Sequence, residues 1–161
     1  MTEKVLKITY EEFDTLEQLS EEDRSLLALA LLNTQNAYAP YSEFYVGAAI
    51  LLDNGEIVCG SNQENAAYPS GLCAERVAMF AAGSQYPNAS MLTIAITVHS
   101  DKFEIASPIS PCGSCRQVVA EYEHRQKKSI KIILRGAKGK IWVINGIDNL
   151  LPFVFTADNL K

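Results

Sequence analysis

No stretch of this 161-residue chain approaches the length of a membrane span: the apolar run Leu26 to Leu32 is far too short. The N-terminus, Met1-Thr2-Glu3-Lys4, carries acidic residues and lacks the apolar core of a signal peptide. Basic charge is also scarce, with 14 Lys and Arg against 19 Asp and Glu and a net charge of -5. That balance argues against a nucleic-acid polymer as partner, because phosphate binding needs clustered cations. The densest basic run, Arg125-Gln126-Lys127-Lys128, follows a predicted helix and reads as solvated surface. Internal repeats, low-complexity tracts and Pro/Ser-rich linkers are missing too, which excludes solenoids and multi-domain arrays. These absences predict one domain over residues 1–161, cytoplasmic and off the membrane, with residues 1–20 as an N-terminal extension.

Apolar residues make up 48% of the chain, enough for a real core. Within the extension, Leu6, Ile8 and Tyr10 alternate like a short strand, while Phe13, Leu16 and Leu19 keep helical spacing. Ser20 reads as an N-cap, with Glu21, Glu22 and Asp23 in the first turn of a helix running to about Tyr38. Strands are predicted at Phe44–Leu52 and Glu56–Gly60, joined by the turn Asp53-Asn54-Gly55. A loop over 61–72, a helix from Cys73 to Gly83 and a strand from Met91 to Val98 follow. After Pro108 and Pro111 a helix starts near Cys112, and Ile130–Leu134 and Lys140–Ile144 form a closing strand pair. The link Gly136-Ala137-Lys138-Gly139 is too short for a crossover, so this last pair reads as an antiparallel hairpin. The pattern is an α/β layered domain with a five-stranded mixed sheet flanked by helices.

Four cysteines are present, and three of them carry the chemistry: Cys73-Ala74-Glu75-Arg76 and Pro111-Cys112-Gly113-Ser114-Cys115. In a reducing compartment such cysteines bind metal or do redox work rather than form structural disulfides. Three thiolates are one ligand short of a closed tetrahedral zinc site, and a catalytic zinc keeps its fourth position for water. All three cysteines fall at predicted helix N-termini, which favour thiolate, and Cys112 and Cys115 share one face of a first turn. Zinc lowers the pKa of bound water from roughly 15.7 to about 7. Glu75 is then placed to move the proton, and Arg76 to donate to sulfur and offset the negative cluster. A closed structural site would need a fourth ligand from Cys59, His99 or His124. A redox dithiol at Cys112 and Cys115 would leave Glu75 and Cys73 unexplained. The spacing is that of the zinc-deaminase signature, in its three-cysteine form.

The loop before Cys73 reads Asn62-Gln63-Glu64-Asn65-Ala66-Ala67-Tyr68-Pro69. An amide and a carboxylate two apart at a strand end point the same way, an arrangement suited to sugar hydroxyls. With Tyr41-Ser42-Glu43-Phe44, Val46-Gly47-Ala48-Ala49, both cysteine segments and Leu150-Leu151-Pro152-x-x-Phe155, this chain closely resembles the homotetrameric zinc-dependent cytidine deaminases from about Gln35 to Leu160.

The resemblance implies a three-layer cytidine-deaminase-like fold and one Zn²⁺ per chain on Cys73, Cys112 and Cys115. It implies hydrolytic deamination of cytidine and 2′-deoxycytidine to uridine and 2′-deoxyuridine, an activity of pyrimidine salvage, with Glu75 as proton shuttle. Asn62 and Glu64 would bind the ribose, Glu64 at its 3′-hydroxyl, and Phe44 would pack against the nucleoside. Ala66, Tyr68 and Phe155 would complete sites across the interfaces of a homotetramer. The chain departs from the family pattern at Phe155-Thr156-Ala157, where Phe-Gly-Pro is usual, and at Tyr45, where proline is common.

Overall fold

Alternation of apolar side chains on both faces of the strands fixes the layers. In the computed structural model, which describes residues 1–102 and 104–160, β1 (Glu11–Phe13) precedes α1 (Glu21–Asn33). The antiparallel strands β2 (Tyr45–Leu52) and β3 (Ile57–Ser61) come next, then α2 (Ala74–Gln85) and β4 (Met91–His99). Helix α3 (Gly113–Gln126) leads to β5 (Lys131–Arg135) and β6 (Ile141–Asn145). The strands form one sheet in the order β1-β6-β5-β4-β2-β3. Every neighbouring pair is antiparallel except β4 and β5, which run parallel with α3 as the crossover between them.

Ala48, Ile50 and Leu52 of β2, Ile94 and Ile96 of β4, and Ile132 and Leu134 of β5 face α2 and α3. The residues between them, Ala49, Leu51, Ala95 and Ile133, face α1 through Leu26, Leu27 and Ala30. A sheet covered on both sides needs apolar residues at successive positions, which is why these strands read as apolar runs.

Close approach of helix to strand depends on two glycines. A Cβ on Gly47 would lie 1.9 Å from the Ala30 carbonyl oxygen, so α1 seats directly on β2 there. A Cβ on Gly60 would lie 2.6 Å from both the Ala74 oxygen and the Ala78 nitrogen. Gly60 therefore lets the first turns of α2, which carry Cys73 and Glu75 at their start, press onto the end of β3.

The sheet has six strands among the described residues, not the five expected from sequence. The additional strand is β1, paired with β6 through Glu11↔Val143, Glu12↔Trp142 and Phe13↔Ile141. Only Phe13 turns to the core; Glu12 accepts a hydrogen bond from Trp142 Nε1 at 2.8 Å and pairs with Lys140. Three residues, two of them glutamates, hold too little alternation to reveal a strand. The alternating Leu6, Ile8 and Tyr10 lie outside any strand and are exposed. Residues 9–10 are nevertheless tied down, Thr9 N donating to Asn149 Oδ1 in the turn after β6 at 2.9 Å and the Tyr10 ring lying 5.1 Å from that of Trp142.

Helix α1 starts at its expected cap, Ser20 Oγ accepting from Asp23 N at 3.1 Å. It stops at Asn33, short of Tyr38. There Asn33 Nδ2 donates to the Leu29 carbonyl and Thr34 Oγ1 to the Leu31 carbonyl, and the chain tightens into a 3₁₀ turn over Thr34–Asn36. The loop over 61–72 likewise contains a 3₁₀ turn at Tyr68–Ser70. Among the described residues, no helix is long and apolar enough to cross a membrane.

Replacing Gly60 by Ala is expected to destabilise the protein by about 1–3 kcal/mol, since neither Ala74 nor Ala78 backbone can yield without moving α2. Thermal denaturation should register this as a Tm lower by about 2–10 °C; an unchanged Tm would mean that α2 is not held against β3 as described.

Candidate metal centre and cleft

Two helices begin at this site, and their first turns bring three sulfurs together. Cys73 is the N-cap of α2 with extended backbone, φ -71° and ψ 152°, and Cys112 the N-cap of α3, φ -66° and ψ 168°. Cys115 lies in the first turn of α3 and is buried. The Cys73 and Cys112 Sγ atoms are 3.8 Å apart and the Cys112 and Cys115 Sγ atoms 3.4 Å. All three lie within 4.8 Å of one another. A tetrahedron with Zn–S bonds of about 2.3 Å has edges of about 3.8 Å, so the donor set fits zinc in both chemistry and spacing. Among the described residues no fourth protein donor joins the group. Cys59 sits on β3 facing α1, and His99 pairs with Asp101 at 2.8 Å. His124 lies on α3 beside Lys127 and Lys128.

Hydrogen bonding favours thiolate at Cys73. Cys73 is held down to about 5, chiefly by a hydrogen bond with Cys115 and further by Arg76, against the opposing effect of its own burial. Arg76 Nη2 donates to Cys73 Sγ at 3.6 Å, one turn along the same helix. Cys115, the other partner in the shared hydrogen bond, is pushed up, and burial adds to this. A second arginine fixes the loop: Arg116 donates from Nε to the Pro111 carbonyl and from Nη1 to the Leu150 carbonyl, both at 2.8 Å. It thereby ties the approach to Cys112 to the C-terminal segment.

Glu75 occupies the first turn of α2 and is only 5% exposed, yet its side chain lines the same cleft as Cys73 and Cys112. Burial pushes its carboxyl up, and the Cys73 thiolate raises it further. A buried carboxyl whose affinity for the proton is raised is suited to moving protons.

The cleft encloses about 1040 Å³. Phe44, Asn62, Glu64 and Tyr68 line it together with Cys73, Cys112 and Glu75; Cys115, Ala66 and Phe155 do not. Phe155 is exposed, and its carbonyl accepts from Gln117 Nε2 at 2.7 Å. Asn62 brackets β2, its Oδ1 accepting from Val46 N at 2.7 Å and its Nδ2 donating to the Phe44 carbonyl at 2.9 Å. Glu64 Oε2 accepts from Tyr41 N at 2.9 Å, and Oε1 accepts from Ser42 Oγ. Desolvation works to raise the Glu64 carboxyl, but these hydrogen bonds outweigh it and hold it below the usual carboxylate range.

Sequence reasoning gave no role to Tyr41, Ser42, Ile109 or Ser110, all of which line the cleft. Tyr41 and Ser42 stand far from Glu64 in the chain, so the sequence shows them no partner. Ile109 and Ser110 sit in an irregular loop where no periodicity operates.

Residues 20–130 match the family described as the cytidine and deoxycytidylate deaminase zinc-binding region. The cytidine deaminase of Halalkalibacterium halodurans is 40% identical over 140 residues, covering 86% of this chain and 98% of the relative. That of Sporosarcina psychrophila is 38% identical over 136 residues, covering 84% and 93%. The crystal structure of cytidine deaminase from Burkholderia pseudomallei superimposes with a TM-score of 0.71 at 34% identity, covering 85% of this chain and all of that one.

Replacing Cys112 by Ser should cut the zinc retained after dialysis to below about a tenth of the unaltered protein's, because two thiolates hold the ion far more weakly than three. Replacing Cys59 by Ser should leave zinc content unchanged. Elemental analysis reads both, and loss of zinc from the Cys59 variant would contradict the three-cysteine site.

Proposed function

The chain belongs to the cytidine and deoxycytidylate deaminase family, and from that premise we propose that it hydrolyses cytidine and 2′-deoxycytidine to uridine and 2′-deoxyuridine, releasing ammonia. The observation that carries this reading is a cluster of three cysteines at a cleft that Cys73 and Cys112 line together with a buried glutamate, Glu75, and with Phe44, Asn62 and Glu64.

Zinc, one ion per chain on Cys73, Cys112 and Cys115, would supply the Lewis acidity that makes water a nucleophile near neutral pH. Glu75 takes the proton of the attacking water on its carboxylate and delivers it to N3 of the cytosine ring as C4 is attacked. Glu75, a carboxylate again, then takes the proton of the new C4 hydroxyl and gives it to the amine as the C4–N bond breaks and the C4 carbonyl forms, so one residue serves as base and acid in turn. Its raised affinity for the proton supports that double use. Arg76 steadies the Cys73 sulfur with its guanidinium.

Glu64 and Asn62 take the sugar end. Among the described residues Arg76 is the single Lys or Arg lining the cleft, and it is engaged with Cys73. The Glu64 carboxylate would repel a phosphate, so a free nucleoside fits better than a nucleotide. Phe44 offers an apolar face to the ligand. A homotetramer with shared sites accounts for Ala66 and Phe155, which lie outside the cleft of their own chain. Cytoplasmic pyrimidine salvage suits free cysteines and a nucleoside substrate.

Replacing Glu75 by Gln keeps the shape and removes the proton carrier. Cytidine turnover, followed by ultraviolet absorbance and by ammonia, should fall by at least about 10²-fold while zinc stays at one per chain. A Glu75→Gln variant within threefold of the unaltered enzyme would refute the shuttle.

A further inference from the structure

The turn that carries Ser42 is built around the Glu64 carboxylate. Glu43 takes a left-handed conformation, φ 52°, uncommon for a residue with a Cβ. Its N–H donates to the Ala39 carbonyl at 2.9 Å, and Lys102 pairs with its carboxylate at 2.7 Å. This bend aims two successive backbone N–H groups at Glu64 Oε2, Tyr41 at 2.9 Å and Ser42 at 3.3 Å. The Ser42 hydroxyl supplies the third donor, to Oε1. Ser42 Oγ in turn accepts from Phe44 N at 3.1 Å. One hydroxyl thus links the two groups, Glu64 and Phe44, that line the sugar end and the apolar wall of the cleft.

A carboxylate offers about four lone-pair sites. With three donors from the 41–42 turn in place, Glu64 keeps about one site for a further donor, and Ser42 determines which oxygen retains it. We infer that Ser42 is a positioning residue for sugar recognition: it locks the Glu64 carboxylate so that its remaining acceptor site faces the ligand's 3′-hydroxyl. This rests on the proposed nucleoside deamination. Ser42 touches no reacting atom, so it acts through Glu64 on binding and leaves the chemical step at Glu75 alone.

The test is steady-state kinetics of Ser42→Ala and Ser42→Thr with cytidine, 2′-deoxycytidine and 3′-deoxycytidine, alone and in a Glu64→Gln background. Losing a hydrogen bond to a charged group should raise the KM of Ser42→Ala for cytidine and 2′-deoxycytidine about tenfold, with kcat lowered less than about threefold. The KM for 3′-deoxycytidine, which lacks the recognised hydroxyl, should shift less than about twofold, and Ser42→Thr should restore the unaltered values. With Glu64 already replaced, adding Ser42→Ala should change KM less than about twofold. Ser42→Cys, a weak donor of similar size, carries the same comparison if Ser42→Ala does not fold.

An unchanged KM for cytidine, an equal rise for 3′-deoxycytidine, or a full additional rise in the Glu64→Gln background would overturn the role. If the unaltered enzyme deaminates none of the three nucleosides, the proposed function fails and this inference with it. If it deaminates them and Ser42→Ala matches it, only this inference fails.

Discussion

The site depends on one constraint: the N-termini of α2 and α3 must meet at the same point above the same face of the sheet. Each helix brings unpaired N–H groups and the positive end of its dipole to that point, and three thiolates are what such a point attracts. The remainder of the fold serves the convergence. Gly60 lets α2 lie against β3, the parallel β4–β5 pair makes α3 a crossover, and Arg116 holds the loop leading to Cys112.

Two carboxylates in the cleft are driven in opposite directions by their surroundings. Burial raises Glu75, while hydrogen bonds from Tyr41 and Ser42 lower Glu64 despite partial desolvation. The first therefore suits proton transfer and the second a fixed negative charge. Separation of this kind allows one small cleft to contain both a reacting acid–base group and an anchor for a polar ligand.

Most of the candidate site was legible because ligand chemistry demands particular residue types at particular spacing. Cys73, Glu75, Cys112 and Cys115 could be found without any fold, and the apolar runs of β2 and β4 revealed a sheet covered on both faces. What escaped was carried by single contacts. Strand β1 shows the core only Phe13, and its place depends on Glu12 reaching Lys140 and Trp142 far along the chain. The early end of α1 depends on side chains of Asn33 and Thr34 bonding to carbonyls, which apolar periodicity does not register. Ser42 meets Glu64, a partner that only the folded turn brings into reach.

The proposed function has Glu75, with zinc held by three cysteines, remove the amine of cytidine. Its most direct test is a titration of zinc into chelator-stripped protein, with ammonia release from cytidine and bound zinc measured in each sample. Ammonia release that rises in proportion to bound zinc and levels off at one ion per chain is the predicted result. Full release without zinc, or none with one ion bound per chain, would contradict the claim.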